Sequence, residues 1–309
     1  MFPVPNIEKL SLVAPLGLCF HDAATGERVI DGLSVSVYPA TQTIWKKRTE
    51  ARPNRSGVFV LHKADGLGEF TRGAGDDEFW QNNPPQKPFI VEVFDNENRF
   101  QPFQFTLNLP VRGIYRWENI PAASPSRNLS SIPLYSAPTR KVLGAMSVIR
   151  AGLRESNEKA ASFAVLEARF NGDLIARGIA DRAGQIVLMF PALSPQNNPF
   201  TSPPSDATRI SLADQKWNLD LTLKYEPRIF QTSPPLSIET GEEVLPDLRL
   251  VLAQANGSLW ANAEKTESLS TAVLQIGKDL ILRSRAVQIL SPMPPAETVF
   301  SSYLFVSPA

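Results

Sequence analysis

Short runs of alternating apolar and polar residues, each cut off by a proline or a glycine turn, constrain this 309-residue chain more than any other feature. A period of two places every second side chain on one face of a half-buried strand, whereas a helix needs a period near 3.6. Leu33-Ser-Val-Ser-Val-Tyr38 and Phe103-Gln-Phe-Thr-Leu-Asn-Leu109 alternate cleanly. Pro110 ends the second run, because proline cannot donate to a sheet ladder. Val58-Phe-Val-Leu61 and Phe89-Ile-Val-Glu-Val-Phe94 are short β-rich runs. Turn signals separate them: Thr25-Gly26, Asp31-Gly32, Ser56-Gly57 and Asp95-Asn96-Glu97-Asn98. Strands this short and this frequent predict a β-sandwich rather than βαβ units.

The second half repeats the scheme. Phe163 to Phe170 reads as a strand, Asn171-Gly172 as a tight hairpin turn, and Leu174 to Ala180 as the return. Asn54-Arg-Ser-Gly-Val-Phe-Val-Leu61 and Asp181-Arg-Ala-Gly-Gln-Ile-Val-Leu188 share one pattern, a turn feeding a strand in each half. Trp217 to Tyr225 alternates over nine residues, and the β-rich run Leu248-Arg-Leu-Val-Leu252 follows. Thr271 to Ile276 and Asp279 to Arg285 predict a hairpin around Gly277-Lys278. Ala151 to Ala161 is the one segment that reads as a short helix. The chain is therefore expected to be all-β: two tandem Ig-like sandwich domains, 1–138 and 139–255, with a C-terminal extension over 256–309.

Composition narrows the chemistry. Lysine plus arginine (31) balances aspartate plus glutamate (31), which leaves no electrostatic footprint for nucleic acid or an anionic membrane. No apolar run reaches the roughly 20 residues that span a bilayer. Cys19 is the only cysteine, so no intramolecular disulfide can form. It reads as a buried structural thiol, with no cationic neighbour evident in its local sequence. His21 and His62 are the only imidazoles and sit in no HExxH context, so neither a metal site nor a Ser-His-Asp triad is expected. The apolar run Leu10 to Phe20 reads as a first strand rather than a secretory segment, because Pro3, Pro5 and Glu8 replace a basic start. A cytoplasmic, soluble protein without cofactor or catalytic residues is the expectation.

The 27 prolines fall largely in loops and linkers. Two loops, 66–86 and 191–210, exceed the usual 12–15 residues or so of a structureless connection, which points to function. Phe79 and Trp80 in the first, Phe200 in the second, Trp117, and Phe300, Tyr303 and Phe305 in the tail are the candidate protein-interaction residues. Asp76-Asp77-Glu78 lacks the alternating oxygen ligands of a calcium loop and reads as a solvated face. Trp45 beside Lys46-Lys47-Arg48 reads as an exposed strand end. With Trp80 and Trp117 it also motivates an alternative, a carbohydrate- or cell-surface-binding module that stacks sugars on indoles.

Phe20-His-Asp-Ala-Ala-Thr-Gly-Glu-Arg-Val-Ile-Asp-Gly-Leu-Ser-Val-Ser-Val-Tyr-Pro39, leading to Asn54–Leu61, resembles a carboxypeptidase-regulatory-like (transthyretin-like) β-sandwich. Pro88 to Asp95 with Arg99 to Pro110, and Phe163 to Arg169 with Ala176 to Pro191, resemble proteins of phage-tail-like contractile injection systems. These resemblances imply transthyretin-like sandwiches in a non-enzymatic structural component at the baseplate or cap end. Its partners would be other protein subunits of the particle, in keeping with zero net charge, and copies of the chain would form a symmetric ring.

Overall fold

The computed structural model describes residues 14–41, 48–62, 64–67, 80–81, 84–117, 131–142, 144–194, 215–230, 245–284 and 303–308. It is all-β, as the alternation predicts. The first half contributes β1 (Leu16–Leu18), β2 (Phe20–Asp22), β3 (Arg28–Val29), β4 (Leu33–Pro39), β5 (Thr49–Pro53), β6 (Phe59–Leu61), β7 (Lys87–Asp95), β8 (Phe103–Leu109) and β9 (Ile132–Leu134). Six of these form one sheet, in the order β1-β6-β5-β4-β7-β8, and a small sheet β3-β2-β9 accompanies it. The alternating residues do what their period requires. Phe103, Phe105, Leu107 and Leu109 are buried while Thr106 and Asn108 are exposed. Phe20 of the small sheet meets Phe59 of the large one edge to face, with centroids 5.3 Å apart.

The second half continues with β10 (Met146–Glu155), β11 (Val165–Phe170), β12 (Asp173–Ile179), β13 (Gln185–Pro191) and β14 (Lys216–Lys224). A short helix α1 (Leu248–Ala253) precedes β15 (Asn256–Trp260), β16 (Thr271–Gln275), β17 (Leu280–Leu282) and β18 (Tyr303–Ser307). All nine strands join one curled sheet. Its main path runs β12-β11-β14-β15-β18-β10-β13, with β16 on β14 and β17 on β10. The odd-numbered residues Trp217, Leu219, Leu221 and Leu223 of β14 point into this core, and Lys216, Asn218, Asp220 and Thr222 point out.

Four local expectations are corrected. Residues 151–161 form the end of β10 and a turn, not a helix, because seven residue pairs tie β10 to β13. Leu248–Leu252 is helical rather than extended, since Asp247 caps it by accepting hydrogen bonds from the Arg249 and Leu250 amides. Its Leu248 and Val251, one helical turn apart, are both buried. A turn does form at Gly277, but its flanking strands do not pair with each other: β16 runs antiparallel to β14 and β17 parallel to β10. The segment 256–309 is no separate docking tail among its described residues. β15 to β18 complete the second sheet, where Leu304 and Val306 enter the core.

The two β bodies share one core. Val165 and Ile179 of the second body, with Leu248 and Val251 of α1, pack among the first body's Phe103, Tyr135 and neighbours. Burying each such side chain stabilises by about 1.5–3 kcal/mol. A void of only 10 Å³ remains where these groups meet. The Gln104 amide donates to Pro246 O at 2.9 Å, which fastens β8 to the segment leading into α1.

Candidate functional site

The residues singled out from the sequence do not converge. Trp45, Phe79, Asp76-Asp77-Glu78, Phe200 and Phe300 lie outside the described residues, as does most of loops 66–86 and 191–210. Trp80 is half-buried and packs against the first core. Trp117 is only 2% exposed, edge-on to Phe105 at 5.3 Å with the Arg249 guanidinium 5.2 Å above its ring. An indole so enclosed offers neither a docking surface nor a sugar platform. Tyr303 and Phe305 sit half-exposed on β18, whose parallel pairing with β10 sets Tyr303 opposite Gly152. A side chain at Gly152 would collide with the Tyr303 ring at 2.6 Å, and Arg154 covers that ring at 3.8 Å. Both aromatics are thus parts of the sheet first.

Cys19 is buried, as expected. Arg28, however, donates to its sulfur at 2.8 Å, a cationic neighbour brought in by the pairing of β2 with β3. His21 is buried beside it, and its Nδ1 has no hydrogen-bond partner. Desolvation by burial holds the His21 imidazole below its ordinary range, although Asp22 and the Ser131 backbone work against this.

Two polar sites that pattern reading missed stand out. The first is a groove of 560 Å³ on the first body, lined by four carboxylates and four cationic side chains. At its floor Arg140 grips Asp22 with both guanidinium nitrogens, at 2.9 and 2.5 Å, and also donates to Ser136 at 2.8 Å. The side chains are 6% and 7% exposed, an enclosed and balanced pair. Phe100 stacks beneath the same guanidinium at 4.9 Å. Nearby Arg99 clamps Asp95 at 3.0 Å, and the Asp95 carboxylate accepts the Arg99 and Phe100 amides, which closes the β7–β8 turn.

The second lies on the outer face of the curled sheet, a cavity of 510 Å³ where β14 parts company with β15 and β16. Register builds it: Glu167 of β11 stands opposite Arg177 of β12 on one side and Thr222 of β14 on the other. Arg177 donates twice to Glu167 Oε1, at 2.9 and 2.6 Å. Arg169 reaches Oε2 at 3.4 Å and Lys224 lies 3.6 Å from Oε1. Burial alone would raise the Glu167 carboxyl, but Arg177, Lys224 and Arg169 together hold it below the usual range. Arg177 also engages the Tyr135 phenol of the first core, whose pKa burial raises although Arg177 works against this. Each residue looks like an ordinary strand residue in isolation; only the ladder gathers them. Among the described residues no group of three or more His, Cys, Asp or Glu is arranged to hold a metal.

No family model matches the chain, and no curated protein matches it. Solved structures that are distantly similar include two bacterial proteins. The Bacillus anthracis TIE protein is 8% identical with a TM-score of 0.19, the match covering 69% of this chain and 29% of that one. A candidate adhesin from Bacteroides ovatus ATCC 8483 is 10% identical with a TM-score of 0.18, covering 68% and 77%. The chain therefore spans under a third of the TIE protein's length. Likenesses this slight carry no argument about what the chain does.

Proposed function

We propose that this chain is a structural component, without catalytic chemistry of its own, of a multi-protein particle of the contractile-injection type, at its baseplate or cap end. The observation that carries the reading is the shared core. Two β bodies packed together through Val165, Ile179, Leu248 and Val251 share one apolar core, which suits a part that must hold its neighbours in fixed geometry. The resemblance of 88–110 and 163–191 to such particle proteins supplies the particular setting. Copies of the chain, assembled in the cytoplasm, would stand in a ring.

The splayed strands β16 and β17 would supply a surface for such neighbours. Val273 is 52% exposed and Ile281 50% exposed, one on each strand, beside the turn at Gly277. Among the described residues β16 pairs only with β14 and β17 only with β10. Strands paired on one side are suited to receive another chain by strand addition. Purifying the intact particle from producing cells and identifying its subunits by mass spectrometry tests the proposal. The chain is expected at a fixed stoichiometry, and its consistent absence from assembled particles overturns the reading.

A further inference from the structure

We infer that the cavity around Glu167 binds a small hydroxylated anion, a sugar bearing a carboxylate or phosphate group, independently of any role in a particle. Charge comes first. Among the described residues three cations, Arg169, Arg177 and Lys224, line the cavity against one carboxylate, Glu167, a formal excess of two positive charges. One carboxylate has two oxygens, and Arg177 takes the best of them through two short bonds. Arg169 at 3.4 Å, with a second bond to the Gly172 carbonyl at 3.2 Å, and Lys224 at 3.6 Å pair only loosely with Glu167, which leaves a net positive charge at the mouth. Asp220 stands opposite Arg169 in the ladder but does not line the cavity.

Exposure and shape agree with charge. Glu167 is 4% exposed and Arg177 11%, whereas Arg169 and Lys224 are 37% and 27% exposed at the mouth. The inner pair is fixed and the outer two cations face whatever enters. A concave wall of low polarizability strengthens their field over that of the same charges on a flat surface. Beside them the rim carries hydroxyls, from Thr222, Ser258 and Ser270, which can donate to and accept from a polyol. The volume of 510 Å³ lies within the roughly 300–1,000 Å³ of small-molecule sites. The groove on the first body has no such excess among the described residues, its cations and carboxylates being equal in number.

Calorimetric titration of the full chain with glucuronate, glucose 6-phosphate and glucose tests this, with amide chemical shifts as a second readout. Glucuronate or glucose 6-phosphate is expected to bind at least about tenfold more tightly than glucose. The tighter of the two identifies the anionic group preferred. Shifts should concentrate at Gly257, Ser258 and Ser270, and affinity should fall as salt rises. The double variant Arg169→Ala/Lys224→Ala should lose about tenfold or more, with an unchanged melting temperature, and Lys224→Arg should retain binding. If the double variant melts early, Lys224→Gln alone carries the same comparison. Failure of both anionic sugars to bind at millimolar concentration, equal affinity for glucose, or unchanged affinity in the variants overturns the inference.

Discussion

Asp22 in the first body and Glu167 in the second are both buried carboxylates held by arginine, yet their surroundings differ in kind. Asp22 meets one guanidinium in a two-pronged grip, both side chains nearly solvent-free and the charges equal. Glu167 meets three cations at unequal distances, two of them partly exposed. A balanced, closed pair has no use for a third party, because every polar group already has its partner. An unbalanced, open cluster has cationic charge left over. The same residue types therefore build a fastening in one body and a receptive surface in the other.

Breaking the closed pair should have the largest effect. Arg140→Met strands the Asp22 carboxylate in the interior and is expected to cost about 3–5 kcal/mol in urea unfolding. In the open cluster Arg177→Met leaves Glu167 still facing two cations, Lys224 and Arg169, so a smaller loss of about 1–2 kcal/mol is expected. Equal losses would mean that Lys224 and Arg169 do not compensate Glu167 and would erase the contrast.

The twin turns give a second comparison between the bodies. Asn54 and Asp181 each accept, at their backbone carbonyl, the amide of a glycine three residues on, Gly57 and Gly184, at φ of +70° and +76°. A methyl at Gly184 would strike the Leu153 carbonyl oxygen at 2.3 Å, whereas at Gly57 it would meet Cγ2 of Ile30, a half-exposed side chain that can swing aside. Both substitutions carry the left-handed strain of about 1–2 kcal/mol. Gly184→Ala should therefore cost about 2–3 kcal/mol and Gly57→Ala nearer 1–2 kcal/mol, read as shifts of the denaturation midpoint.

The smallest effect concerns pH and separates the bodies by range. The folded His21 imidazole is depressed below its usual 6.5, so the unfolded chain takes up a proton first and stability declines as pH falls from about that value. Glu167 is depressed below 4.5, so its contribution stays intact until the solution is more acidic and then disappears as the carboxylate protonates. Urea midpoints measured from pH 8 to 4 should fall first in wild type and not in His21→Leu. A wild-type midpoint flat between pH 7 and 5 would show that His21 is not held neutral.

Much of the strand set was legible, since β4, β8 and β14 each announce themselves by alternation. Misreadings fell where a local preference was overruled. Residues 151–161 have helical composition, but β10 lies between β13 on one side and β17 and β18 on the other, and those ladders outweigh it. Leu248–Leu252 has a β-rich composition, but Asp247 supplies a cap and the first core accepts the Leu248–Val251 stripe. Of the aromatic candidates, Trp117 belongs to the core, because exposure is a property of neighbours and not of residue type. The candidate site itself carried no signal. Glu167, Arg177 and Lys224 are scattered over three strands, and only the pairing register brings them within 4 Å of one another's charges.

What the amino-acid order determined by itself is the period of each strand, the places of its turns and the absence of a disulfide, because these depend on neighbours a few residues away or on counting. Tertiary structure alone decided that β15 to β18 complete the second sheet, that the two bodies share a core, and that one carboxylate faces three cations. Those are outcomes of pairings between residues far apart in the chain, whose free energy comes from burial and register together.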